Sequence, residues 1–147
     1  MTAAVDLADS KSFRHWVAVT LRPSDMDPWN HINNVAYAAF VASGRTQFMR
    51  DLLAVDGSLD FVLASIKIDY RHELRYPGTV DVGTRILRIG KTSMTLGHGI
   101  FRDGELSATA ESVIVCRDRE TRKVKPVPDK IRQAFTASMS TGAPAPG

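Results

Sequence analysis

A chain of 147 residues with 44% hydrophobic content and a formal net charge of +3 fits one compact domain that buries its own core. No apolar run approaches the roughly 20 residues of a bilayer-spanning helix, and so small a positive balance permits anionic ligands without demanding nucleic acid. The single cysteine, Cys116, excludes an intrachain disulfide framework and fits a reducing, cytoplasmic setting. Met1 to Ser10 carries Asp6 and Asp9 and lacks the basic and apolar regions of a signal peptide, so residues 1–12 are expected to be a flexible N-terminus.

Phe13 to Leu21 alternates Trp16, Ala18 and Thr20 against Val17, Val19 and Leu21 and predicts a strand ending at Arg22-Pro23. A long helix is predicted over about Asn33 to Leu53, where Tyr37, Phe40, Val41, Gly44, Phe48 and Leu52 recur at spacings of three and four. Its first half is apolar nearly all round, with alanines at 36, 38, 39 and 42, as suits a helix enclosed by a curved sheet. Gly44 costs about 1 kcal/mol of helix propensity against alanine and reads as a close-packing point.

After Asp56-Gly57-Ser58 the period becomes two. Ile66, Ile68 and Tyr70 alternate with Lys67, Asp69 and Arg71, and Tyr76-Pro77-Gly78-Thr79 makes a turn. Val80, Val82, Thr84 and Ile86 continue the pattern to Gly90-Lys91. Met94, Leu96, His98 and Ile100 follow and close at Asp103-Gly104, a hairpin turn. Leu106 to Arg117 is the last long strand. After Pro126-x-Pro128 a short helix is predicted over about Asp129 to Ala137, and 138–147 reads as a disordered tail of small residues. Five strands in meander order with one helix after the first imply an α+β antiparallel sheet wrapped around that helix. Such a sheet has exposed edges, which dimerisation would protect.

The densest chemistry lies in Ser24-Asp25-Met26-Asp27-Pro28-Trp29-Asn30-His31-Ile32-Asn33-Asn34, a loop that runs straight into the long helix. A helix start offers unpaired N–H groups and a partial positive charge, and here carboxylates stand beside it. Those are the parts of an acyl-transfer site, a carbonyl oxygen held on N–H donors with a base or nucleophile close by. Each residue also has an ordinary role. Asp25 and Asp27 suit turns and helix approaches, with Asp25 read mainly as a loop organiser; Asn33 and Asn34 are good N-caps, and His31 can bond loop carbonyls. The other histidines, His15, His72 and His98, fall on separate strand segments, so no metal site is expected. Cys116 reads as a small buried hydrophobe, and no Gly-x-Ser-x-Gly elbow occurs.

The spacing Asp27-x-x-x-His31-x-Asn33-Asn34-x-x-Tyr37, between a strand and a long helix, resembles the hotdog-fold acyl-CoA thioesterases, most closely their 4-hydroxybenzoyl-CoA thioesterase-like branch. The resemblance covers roughly residues 13 to 136, within a domain drawn at 13–137. It implies a five- to six-stranded antiparallel sheet around a central helix. It further implies Asp27 as the catalytic carboxylate and the backbone N–H at or beside Asn34 as the thioester-oxygen site. His31 stands beside them as a further catalytic candidate, and Asn33, Tyr37 and Trp29 as candidate substrate contacts. No cofactor is implied. A homodimer or homotetramer with active sites at the protomer interface is. Three residues depart from the family pattern: Asn30 where glycine is usual, Trp29 where a smaller or phenyl side chain is common, and Ala42 where glutamate often stands, which leaves Asp27 to work largely alone.

If the substrate is an acyl-CoA, Arg and Lys suit its phosphates. One candidate set is Arg117 and Arg119 with Arg122, Lys123 and Lys125, whose ordinary role is a solvated strand end; the other is Lys91, Thr92 and Ser93 with Arg88. Neither has interleaved aromatics for base stacking, which argues against single-stranded nucleic acid. Two other activities share this resemblance. Hotdog enoyl-CoA hydratases or dehydratases use an Asp/His pair five positions apart, where His31 follows Asp27 by four. A non-catalytic acyl-CoA or acyl-carrier-protein binding module is the other.

Overall fold

The computed structural model describes residues 5–54 and 57–141. Its elements are β1 (His15–Thr20), α1 (Asn34–Leu53), β2 (Leu59–Tyr70), β3 (Thr79–Ile89), β4 (Ser93–Arg102), β5 (Glu105–Asp118) and α2 (Asp129–Thr141). The strands form one five-stranded antiparallel sheet in the order β1-β3-β4-β5-β2. The α+β class is therefore as expected, but the meander holds only from β3 to β5. The link 71–78 is too long for a tight hairpin, so β2 pairs with β5 instead of β3 and becomes an edge.

Helix α1 lies on one face of the sheet, and its apolar stripe makes the core in two halves. Near its start Tyr37, Phe40 and Val41 pack with Val80, Val82, Ile100, Ala108 and Ala110. Near its end Met49 packs with Leu59, Ile86, Met94, Leu96 and Ile114, and Val127 and Ile131 close that cluster from the C-terminal segment. Gly44 is the close approach expected of it: a Cβ there would stand 2.7 Å from Val82 Cγ1 and 3.0 Å from Thr84 Oγ1.

Two features of the sheet escape simple alternation. A register shift between Leu63 and Ser65 inserts an extra residue, so Leu59, Phe61 and Leu63 share a face with Ile66, Ile68 and Tyr70. The period-two pattern was legible only beyond this bulge. Strand β4 is buried on both faces through its middle. Its outer face is covered by the N-terminal segment: Phe13 lies against Gly83 and Gly99, and Leu7 against Gly97, where any Cβ would collide with them. Residues 5–12 are accordingly folded rather than loose, with the Asp9 carboxylate accepting from Lys11 N–H (2.9 Å) and Ser12 Oγ donating to the Asp6 carbonyl (2.6 Å). At the other end α2 continues to Thr141, beyond the Ala137 boundary; the rest of the expected tail, 142–147, lies outside the described residues.

Candidate active site

The polar loop between β1 and α1 is held by its own carboxylates. Asp25, buried, accepts from the Arg22 N–H (2.8 Å) and from Arg22 Nη2 (2.9 Å), and its carbonyl accepts from the Asn33 N–H (2.7 Å). Burial pushes its carboxyl up, but the Arg22 hydrogen bonds outweigh that and hold it below the ordinary carboxylate value. Asp25 thus organises the loop.

Asp27 is bonded differently. Its Oδ1 accepts from the Trp29 and His31 N–H groups, both at 2.9 Å, and its own N–H donates to the His31 carbonyl (2.8 Å). This ring requires Asn30 to take φ +66°, the left-handed region that glycine enters at no cost and asparagine tolerates. The departure at Asn30 is therefore compatible with the loop. The second oxygen, Oδ2, has no N–H donor among the described residues and lies 3.8 Å from His31 Nδ1.

Asn33 is the N-cap of α1, its Oδ1 accepting from the Val35 N–H (2.9 Å). The Asn34 N–H, first of the helix, has no acceptor among the described residues, as helix geometry dictates. Tyr70 at the end of β2 donates its hydroxyl to the Asn34 carbonyl (3.2 Å), and its ring meets that of Tyr37 edge-on at 5.0 Å. The Tyr37 hydroxyl bonds Ser107 Oγ (3.2 Å), which donates to the His72 carbonyl (2.7 Å). Burial pushes the Tyr37 phenol up, so it stays a neutral donor. Tyr37 is thereby buried beneath the helix start, whereas Trp29 is 75% exposed.

Glu73 was not read from the sequence. It follows β2 in a polar stretch without periodicity, and its Oε2 lies 2.8 Å from His31 Nε2 while Arg75 holds the other oxygen at 3.2 Å. Asp27 is thus not alone: a second carboxylate reaches the site through His31, from the link after β2 instead of from the helix position of Ala42.

The coenzyme candidates lie at the opposite end of the protomer. Leu59 pairs with Asp118 at one end of β2 and Tyr70 with Ala108 at the other, a span of roughly 35 Å for a strand of 12 residues. Lys91, Thr92 and Ser93 turn at the far end, where the Lys91 and Thr92 carbonyls accept from Val127 and Cys116. Arg117 is committed to Asp60 (Nε–Oδ2 2.7 Å), and Arg119 lines a cavity beside the end of α1. Within one protomer these residues are not brought to Asp27. Among the described residues no three His, Cys, Asp or Glu side chains are grouped to hold a metal ion, and no helix is long and apolar enough to cross a membrane. Cys116 is buried, its thiol directed at the Pro126 carbonyl.

A family model for the thioesterase-like superfamily matches residues 21–135, which include this loop, α1 and all of β2 to β5. The chain belongs to that superfamily. Solved structures agree with a thioesterase-like hotdog fold. A thioesterase from Thermus thermophilus, complexed with coenzyme A and zinc, is 27% identical, with a TM-score of 0.73 over 85% of this chain and 93% of that one. A protein from Bacillus stearothermophilus described as a predicted thioesterase is 28% identical, with a TM-score of 0.71 over 90% and 98%. A Pseudomonas aeruginosa protein is 25% identical, with a TM-score of 0.74 over 85% and 91%. No curated protein matches significantly. In this thioesterase-like chain the Asp27 loop leads into a helix start whose first N–H, at Asn34, has no acceptor among the described residues.

Proposed function

We propose that the chain hydrolyses an acyl-coenzyme A thioester to a free acid and coenzyme A, with Asp27 as base or nucleophile. One observation carries this reading: a carboxylate clamped by two loop N–H groups through Oδ1 keeps Oδ2 free in the same loop that leads to the acceptorless Asn34 N–H. The thioester oxygen is polarised on that N–H and the helix dipole, and Oδ2 takes the proton of an attacking water or attacks the carbonyl itself. A tetrahedral intermediate then collapses with loss of the thiolate, which leaves as coenzyme A thiol with a proton returned from Asp27 or taken from water. On the nucleophilic route water then cleaves the Asp27–acyl anhydride to release the free acid and restore the carboxylate. His31, tethered by Glu73, positions its Nδ1 side against Asp27. The coenzyme-bound Thermus relative supports a coenzyme A thioester as the substrate class.

The unpaired β2 edge supports a second copy of the chain as the partner. Val62, Leu63, Ile66 and Tyr70 are all more than a third exposed along one unpaired edge, the arrangement that self-pairing covers. Antiparallel β2–β2 pairing about a two-fold axis lays the Leu59 end of one protomer beside the Tyr70 end of its partner. The Lys91–Ser93 turn of one copy then approaches the Asp27 loop of the other, which is how the two distant sets would meet at one coenzyme. The mass in solution is accordingly expected to be at least twice the chain's 16.1 kDa by light scattering. Ile66→Lys, a charge in the middle of that edge, should shift it to the monomer and lower activity with it; an active monomer would contradict shared sites.

The function itself is tested by thiol release across short, long, branched and aromatic acyl-CoAs. At least one should be turned over, in EDTA as well as without it. No thiol release from any acyl-CoA by a folded dimer would remove the hydrolase reading and leave a binding module.

A further inference from the structure

Glu73 stands outside the sequence motif, yet it holds the ring that faces the free oxygen of Asp27. His31 is gripped by both its backbone and its ring. Its N–H donates to Asp27 Oδ1 (2.9 Å) and its carbonyl accepts from the Asp27 N–H (2.8 Å), which fixes the main chain. The far ring nitrogen, Nε2, lies 2.8 Å from Glu73 Oε2, and Arg75 Nη2 holds the other Glu73 oxygen at 3.2 Å. A carboxylate only accepts, so the hydrogen of this bond belongs to Nε2. The neutral ring then presents Nδ1 as a lone pair, 3.8 Å from Asp27 Oδ2. Two acceptors at that separation cannot bond each other. One water oxygen about 2.8 Å from both can donate a hydrogen to each.

We propose that Glu73 is a positioning residue: by keeping the proton on His31 Nε2, it makes Nδ1 and Asp27 Oδ2 a pair of acceptors that seats the attacking water. This deepens the hydrolase reading and rests on it, choosing the water route over attack by Asp27 itself. A lone pair beside Oδ2 does nothing for a carboxylate that attacks carbon directly. A water molecule, in contrast, uses both acceptors to turn its own lone pair toward the thioester. As that oxygen bonds to the carbonyl carbon, one of its protons passes to Asp27 Oδ2 and the other stays bonded to Nδ1. The C–S bond then breaks with its electron pair on sulfur. Asp27 returns its proton to the thiolate, and the free acid leaves with the carboxylate of Asp27 restored. Glu73 and His31 are both partly exposed, so their pairing contributes little to folding and its loss is read in the chemistry.

Nitrogen NMR of the isotopically labelled full chain, at about pH 8.5 where an ordinary imidazole is neutral, reads the tautomer without any substrate. His31, assigned by the signals lost in His31→Gln, should carry its proton on Nε2 alone, and Glu73→Ala should spread it over both nitrogens. In thiol release Glu73→Ala should lower kcat about 10-fold with KM and melting temperature little changed. Glu73→Gln, whose amide oxygen can still accept from Nε2, should recover most of that loss. Over many turnovers in heavy-oxygen water the label should enter the acid and not Asp27. A proton on Nδ1 in the wild-type protein overturns the proposal. So does a Glu73→Ala variant that keeps the wild-type tautomer or the wild-type kcat, and so does label at Asp27. Because the tautomer is read without substrate, it stands or falls apart from the hydrolase reading, which fails instead if no acyl-CoA releases thiol.

Discussion

Asp25 and Asp27 stand two positions apart in one loop and do different work. Asp25 has both carboxylate oxygens on Arg22 and is shut off from solvent. Asp27 gives one oxygen to the Trp29 and His31 N–H groups and keeps the other for whatever enters beside His31. Residue type does not separate them; the number of lone pairs already spent does. A spent carboxylate is architecture, and a half-spent one at a helix start is available for chemistry.

The largest expected effect breaks that contrast at Asp27. Asp27→Asn keeps the amide oxygen that accepts the two loop N–H groups but removes the charge and the proton acceptor. On a good substrate kcat should fall by about 10²-fold or more, with KM and melting temperature little changed. Asp25→Asn should do the reverse. It loses charge-assisted hydrogen bonds worth about 1.5–3 kcal/mol, a fall in melting temperature of roughly 5–10 °C, while kcat at a temperature where the variant is folded drops far less. Asp27→Asn retaining more than half of the wild-type kcat, or Asp25→Asn matching its loss, would erase the distinction drawn from their bonds.

The loop's bonding was legible because it is local. Asp27, His31, Asn33 and Asn34 are close in sequence, and the caps and turns they make follow from short-range rules. The limits of α1 were likewise read almost to the residue, from three-and-four spacing that ends where polar loops begin. What escaped depends on distant pairing. The place of β2 beside β5 and the bulge at its middle are set by which strands meet, and the alternation of Ile66, Ile68 and Tyr70 carries no trace of either. The cover over the glycines of β3 and β4, from Leu7 in a segment read as flexible and from Phe13 read as the start of a strand, is likewise a matter of distant contacts. Glu73 reaches His31 only in three dimensions.

The same contrast between spent and unspent groups recurs in two histidines and gives the smallest predicted effect. His31 is 39% exposed between Glu73 and Asp27, whereas His98 is fully buried between Thr84 and Ser112. Burial, with the nearby charge of Arg45 adding to it, pushes His98 down to about 3, so it is neutral in the folded protein at any working pH. The unfolded chain regains an ordinary histidine, which takes a proton near pH 6.5. Below that value the unfolded state binds more protons, so this group's contribution is whole above about pH 6.5 and is lost as the pH falls toward 3. The loss approaches about 1.4 kcal/mol per pH unit, or about 2 kcal/mol between pH 7 and 5. Urea unfolding at pH 7, 6 and 5 measures it against His98→Gln, which keeps hydrogen-bonding atoms at its end but cannot titrate. The other histidines are the same in both proteins, so what they contribute cancels in the difference. The variant should be less stable at pH 7, from imperfect bonds to Thr84 and Ser112, yet lose about 2 kcal/mol less than wild type on going to pH 5. Parallel pH dependences would mean that His98 carries its proton inside the fold, and the division between a core histidine and the half-exposed one beside Asp27 would fall with it.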